Sequence, residues 1–538
     1  PGDITFTNSG VTSNNGAVDV YAAFNGDVMT PPSTITMDAN SSITASSGWV
    51  TMSAGLETTV ANIAASGDIL LETRTDSPGN KLNVIGPVSS TTAGNIYLTS
   101  RNMDITADVS TTAGDIHLYD YNVGFILGPG GLTDTEIAHL KADNNHALII
   151  GRGKVYVPPT DILTGIGSIP AAFNITTADI AQEGDAAAAS LNVGLITQGA
   201  ITRANDAYMT MQDNGSLALV ANDGIAFGAI AATNLNLAAL NQDVPGAAAG
   251  DIHLFLGGAG GTYNVESFDA ATDPVAAGIG QNVAGIVNQA DGFDIVVSVP
   301  NAGNTVNINA AVYGTAGPSP SGFHNDILFE MKGSDLNQTW NQYITAADGD
   351  AFFFVENFDI GRVYAENGTV YIEHSGDVRD INDAPEGGPT VNITADGLMA
   401  YATGPGVFGL GDPIETDINK LQMKANDDIN IVNYGDLTIG GVTQNLDGYA
   451  ATYAAALTAG IPLGVYGIWQ TNGDLNIDVG ANRLVIAGTI LQAEDVDTEP
   501  TPTQNFIKAN TNPVFYGGNV TLIGADVAVA APIRTGQK

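Results

Sequence analysis

Apolar and polar residues alternate along much of this chain, in short runs that each begin at a Gly-Asp or Gly-Asn pair. Residues 91–120 read TTAGNIYLTSRNMDITADVSTTAGDIHLYD, and the phrase TTAG-N/D-I-x-Leu starts at Thr91 and again at Thr111, twenty residues on. The same grammar recurs at Gly2-Asp3-Ile4-Thr5-Phe6, Gly67-Asp68-Ile69-Leu70-Leu71 and Gly250-Asp251-Ile252-His253-Leu254. Late copies are Gly435-Asp436-Leu437-Thr438-Ile439, Gly473-Asp474-Leu475-Asn476-Ile477 and Gly518-Asn519-Val520-Thr521-Leu522. Asn325-Asp326-Ile327-Leu328-Phe329 and Asp427-Asp428-Ile429-Asn430-Ile431 are looser relatives.

Gly tolerates positive φ, and Asp or Asn can bond neighbouring backbone, so each pair predicts a corner. The alternation after it predicts a short strand with one face inward. Between the two opening copies, Met103-Asp104-Ile105-Thr106-Ala107 supplies another such strand. A twenty-residue period favours a β-solenoid over a propeller, whose blades repeat at about 40–50 residues. The step of 27 from Gly67 to Gly94 fits a coil with lengthened turns, and the step of 38 from Gly435 to Gly473 fits two coils. The expected fold is therefore all-β: a parallel β-helix with stacked Asn and Thr, in a single elongated domain over residues 1–538. At about 20–25 residues per coil and roughly 4.8 Å per step, it would be on the order of 100 Å long.

Two stretches interrupt the pattern and are expected as loop or short-helix excursions over the flank of the coil. Residues 257–324 are rich in Gly, Ala and Pro, with a clear strand only near DGFDIVVSV. Residues 441–470 include DGYAATYAAALTAGIP, whose Ala and Leu content suits a short helix. The Phe352–Phe354 triplet reads as packing, not as a binding surface.

Charged residues make up only 14% of the chain, so its solubility rests largely on Asn, Thr, Ser and Gly. The net charge of −41 removes the basic footprint that nucleic acid binding needs and opposes anionic membranes. Cations, neutral glycans and other copies of the chain remain as expected partners. With no cysteine, disulfides and thiolate chemistry are excluded. No apolar run is long enough for a transmembrane helix. The opening Pro1-Gly2-Asp3-Ile4 has no charged-then-apolar leader, so a secreted form is expected to have lost its signal.

Residues 130–153 (GGLTDTEIAHLKADNNHALIIGRG) and 411–440 (GDPIETDINKLQMKANDDINIVNYGDLTIG), with the Gly-Asp-Ile-x-Leu phrases, carry more than generic repeat grammar. They resemble the filamentous-haemagglutinin-like β-helical proteins of bacterial surfaces, a likeness spread over about two thirds of the chain. The resemblance implies a right-handed parallel β-helix, secreted and displayed at the cell surface, with an adhesive or structural role; a non-enzymatic role is the expectation for this chain. The family's amino-terminal secretion domain is not identifiable here.

Candidate chemistry is sparse. β-Helices include polysaccharide-cleaving enzymes, whose sites need a general acid and base, often paired carboxylates. Asp474 with Asp478, Asp348 with Asp350, and Glu494, Asp495 and Asp497 are candidates. Nothing in sequence pairs them with a basic partner, and a solvated strand face is the better reading. His117 and His253 occupy the outward x of the repeat phrase, where Tyr97 and Thr438 sit in sister copies, which points to surface positions. His139 and His146 lack zinc-site spacing. Calcium is the metal that the Asp/Asn turns would suit, at Asp143-Asn144-Asn145, Asp427-Asp428 or Glu494 to Asp497, although no EF-hand or nonapeptide array is present. The glycine clusters 128–131 and 257–261 lack a P-loop Lys. Aromatic strips fall at Tyr119/Tyr121 and Tyr364/Tyr371.

No catalytic or cofactor-binding residue is assigned. The expected role is an extracellular β-helical rod, acting as adhesin or as a surface fibre whose copies join head to tail. The alternatives are a β-helical polysaccharide lyase or hydrolase, and a calcium-dependent glycan-binding module.

Overall fold

The structure, a computed structural model, describes residues 2–22, 33–73, 79–119, 125–127, 131–151, 175–177, 192–203, 208–243, 250–290, 292–315, 324–382, 391–442, 466–470, 473–486, 505–509, 519–529 and 533–535. The fold is all-β, built of parallel sheets with two short helices among the described residues. The chain divides into two units, residues 1–248 with 267–284 and residues 249–266 with 285–538.

In the first unit the strands fall into three series taken in rotation along the chain. Ile4–Phe6, Thr34–Met37, Glu57–Val60, Lys81–Val84 and Met103–Ile105 form one sheet. Gly10–Ser13, Ser42–Ala45, Ile63–Ala65, Val88–Ser90, Val109–Thr111 and Leu140–Lys141 form the second. Val18–Tyr21, Val50–Ala54, Ile69–Thr73, Ile96–Thr99, Ile116–Tyr119 and Ala147–Gly151 begin the third. Each strand thus bonds to the strand three places on. The two opening phrases lie side by side, Ile96 against Ile116 and Leu98 against Leu118.

The reason these residues form strands in this register is burial. Along Thr34–Met37 and Ser42–Ala45 alternate residues are buried, and Ile35, Met37, Ile43 and Ala45 are at most 1% exposed. A one-residue slip would turn every such side chain outward. At about 1.5–3 kcal/mol per large aliphatic buried, these inward columns hold the ladder together. In parts of the third series both faces are covered, as in Val50–Ala54 and Gly215–Ala221, where every residue is buried.

Part of that cover is the helix Pro274–Ile279, which lies against Ala147–Gly151 and Asn192–Ile196. Asp273 caps it by accepting the amides of Val275 at 2.8 Å and Ala276 at 3.2 Å, Pro274 starts it, and Gly280 ends it at φ 84°. Ile279 packs against Gly194, where a Cβ would meet its side chain at 3.0 Å. The flanking strands Ser267–Phe268 and Val283–Ala284 pair antiparallel.

The second unit repeats the scheme. Ile252–Leu256, Ile295–Ser298, Ile327–Glu330 and Ala351–Val355 follow one another in parallel, as do Thr262–Val265, Thr305–Ile308, Asp335–Gln338 and Phe358–Ile360. Ile286–Asn288, Val312–Gly314, Tyr343–Ala346 and the start of Arg362–His374 make the remaining series. Of the stretch expected as an excursion over 257–324, Ser267–Ala284 leaves the ladder, and residues 291 and 316–323 lie outside the described residues. Most of the described remainder is ladder, with Tyr263, Val265, Val306 and Ile308 buried on its inward face. Gly and Ala richness hid that alternation. In 441–470, residues 443–465 lie outside the described residues, while Tyr466–Gln470 is a ladder strand against Met423–Ala425.

The late phrases also need correction. The step of 38 from Gly435 to Gly473 is not two coils of one column: the strand after Gly473 pairs at Leu475 with Ile429, and the strand after Gly435 pairs at Leu437 with Leu484. The Gly-Asp phrase encodes a corner, and successive corners can share it.

Candidate functional site

The Gly-Asp pairs have a definite structural use. In the first unit Asp68 Oδ1 accepts the Asn95 amide at 2.8 Å, Asn95 Oδ1 accepts that of Asp115 at 2.8 Å, and Asp115 Oδ1 accepts that of Ala147 at 2.9 Å. In the second, Asp251, Asp294, Asp326 and Asp350 each accept the amide of the next corner, at Asp294, Asp326, Asp350 and Thr369. Each side chain thus satisfies a backbone donor that the turn would leave without a strand partner. Burial holds the Asp68 and Asp251 carboxyls above the usual carboxylate range, against the lowering effect of these amide bonds. The glycines stack as well: a Cβ on Gly94 would run into the Gly67 carbonyl, and one on Gly114 into that of Gly94.

This use accounts for Asp474 and Asp350 among the candidate acid–base carboxylates, and Asp478 bonds within its own turn. Asp474 Oδ1 accepts the Asn519 amide at 2.7 Å, Asp478 Oδ1 that of Gly480 at 2.7 Å, and Asp350 Oδ1 that of Thr369 at 2.6 Å. Asp348 is half-buried. Glu494, Asp495 and Asp497 lie outside the described residues.

The calcium candidates are similarly engaged. Asp143 Oδ1 accepts the Asn145 amide at 2.6 Å and lies 3.0 Å from His146 Nδ1. Asp428 Oδ1 accepts the Asp474 amide at 2.5 Å, and Asp427 Oδ1 that of Asp428 at 3.1 Å. Among the described residues no group of three His, Cys, Asp or Glu side chains is placed to hold a metal ion.

The histidines depart from expectation. His117 and His253 point away from the core, as the alternation requires, yet are only 5% and 2% exposed. His117 stacks on Tyr97 at 4.8 Å, and His253 Nε2 lies 3.0 Å from Ser298 Oγ. Alternation reports which face a residue takes, and says nothing of whether that face is covered. His139 Nδ1 bonds Asp108 at 2.8 Å beside Lys141 at 2.6 Å, and these two partners hold the Asp108 carboxyl low. His374 is buried, which lowers its pKa, and its Nδ1 donates to the Gly376 carbonyl at 2.6 Å.

Phe352–Phe354 are fully buried, as packing. Phe353 stacks with Phe329 at 5.7 Å and Phe358 at 4.9 Å, while Phe352, Phe354 and Tyr371 form a cluster with Val296 and Leu328. Tyr364 and Tyr371 therefore do not form one strip: Tyr371 is buried and Tyr364 half-exposed. Of the other pair, Tyr119 is half-buried and Tyr121 lies outside the described residues.

Sequence reading missed one half-buried feature, an aromatic row on the second unit. Tyr313 pairs with Thr345, Thr345 with Tyr364 and Tyr364 with Thr394. Their neighbours Val312, Ile344, Val363 and Ile393 are buried, so the row faces away from the core. Tyr343 sits opposite Arg362 on the same face and is 42% exposed. The row's members lie 19–32 residues apart in sequence, as their register partners show, so no local pattern reveals it.

Comparison with known proteins finds no matching family model, curated protein or solved structure. Among the described residues no helix is long and apolar enough to cross a membrane.

Proposed function

We propose that this chain is an extracellular structural protein, a single elongated right-handed parallel β-helix serving as adhesin or as subunit of a self-assembling surface fibre. One observation carries the reading: the conspicuous polar repeat is spent on holding one strand to the next. A chain that commits its recurrent carboxylates to backbone amides, corner after corner, invests in stiffness and not in a reaction centre. The filamentous-haemagglutinin-like wording of 130–153 and 411–440 supports the same role. So does the net charge of −41, which keeps copies apart until cations screen them.

Head-to-tail association belongs to this proposal. Open strand edges with exposed apolar side chains recruit further strands, and a heterologous contact of that kind propagates. Negative-stain microscopy of the purified chain tests it, with and without calcium and across ionic strengths. Filaments or elongated particles that bundle as salt or divalent cation rises are expected. Round particles, or turnover in a reducing-end assay on polysaccharides, would overturn it.

A further inference from the structure

The aromatic row of the second unit has a protruding companion. Gln342 N donates to Thr339 O at 2.9 Å, closing a four-residue turn that carries Trp340, 45% exposed, at its tip. The connections in the flanking steps are shorter, residues 309–311 before it and Gly361 alone after it. Thr339 Oγ1 anchors the turn to Asn309 Oδ1 at 2.7 Å. Trp340 and Tyr343 thus stand at one margin of the sheet face on which Tyr313, Thr345, Tyr364 and Thr394 follow one another.

We propose that this face binds an extended, neutral, β-1,4-linked polysaccharide lying along the row, an inference that rests on the adhesive reading above and names its partner. Three features select that ligand. Rings alternate with hydroxyls, Tyr313, Thr345, Tyr364, Thr394, matching a sugar chain that offers C–H faces and hydroxyls in turn. Tyr313 and Tyr364 are two strand spacings apart, roughly 9.5 Å, close to the advance of one disaccharide in an extended β-1,4 chain, so each ring meets an equivalent sugar face. The chain's net charge of −41 disfavours an anionic polymer. Arg362, half-buried beside Tyr343, adds a planar donor for hydroxyls.

The test is calorimetric titration of the full chain with cellohexaose, maltohexaose and oligogalacturonate, with intrinsic tryptophan fluorescence as second readout. Cellohexaose is expected to bind and to perturb the fluorescence; the other two are expected to bind at least tenfold more weakly. Trp340→Ala and Tyr343→Ala should each lose tenfold or more. Ile85→Ala, which trims an exposed apolar side chain in the other unit, should bind as the parent does. Because Trp340 and Tyr343 are exposed, thermal melts of these variants should overlay the parent's. Absence of cellohexaose binding, unchanged affinity in the two aromatic variants, or equal affinity for maltohexaose would overturn the inference. Filaments in the microscope with no sugar bound would sink this inference and leave the structural role standing.

Discussion

The carboxylate of Asp326 accepts the backbone amide of Asp350 at 2.8 Å, one strand further along the ladder. Both residues are buried, at 0% and 3% exposure, so water cannot replace the bond. Asp326→Ala should cost about 1–3 kcal/mol, the penalty of a buried donor left without its acceptor. Asp326→Asn keeps an acceptor oxygen, as Asn95 does at the equivalent corner of the first unit, and should cost distinctly less. Urea unfolding monitored by circular dichroism checks the order; equal losses would show that the side-chain oxygen is not the cause.

Gly94 sits directly over Gly67, with no room for a Cβ between them. Gly94→Ala forces the corner apart and should destabilise by about 1–3 kcal/mol, the range for overpacking a filled site. Gly2→Ala, where nothing lies within 4 Å, should be neutral. Comparing the two melting temperatures separates crowding from the general effect of replacing glycine.

These two contacts explain how far the sequence could be read. Gly94-Asn95-Ile96 and Gly114-Asp115-Ile116 announce their register because corner and strand recur together at a fixed interval, and the structure sets them side by side. The phrase at Gly435 misleads because it marks another corner of the same kind; Asp427-Asp428, which lacks the glycine, is the true neighbour of Asp474. The histidines show a second limit. His117 and His253 obey the alternation, but cover of the outward face comes from residues remote in sequence, much as Ile279 reaches Gly194. The aromatic row is invisible for the same reason, since register, not spacing, assembles it.

Phe353 stands between Phe329 and Phe358, all three fully buried. Phe353→Ala should cost about 3–5 kcal/mol, the sum of lost burial and the cavity left behind. Phe353→Leu keeps most of the volume and should cost less. A loss confined to a few tenths of a kcal/mol in the alanine variant would mean that the strand can collapse onto the gap.

Acid should act on this protein in two opposite senses. Burial raises the Asp251 carboxyl, so the folded state takes up its proton more readily than the unfolded chain. The penalty of ionising it in place is full above the raised value and is relieved as pH falls through it. Asp251→Asn removes the charge and keeps an acceptor for the Asp294 amide, so its stability relative to the parent should rise as pH goes from about 4 upward. Asp108 is the reverse case, held low by bonds from Lys141 and His139. Its contribution is present above the unfolded value near about 4 and is lost as pH falls through the lowered one. Asp108→Asn should therefore show its full deficit at about pH 6 and approach the parent in stronger acid. Urea midpoints across this range decide both, and parallel pH profiles for parent and variants would refute the assignment of either carboxyl.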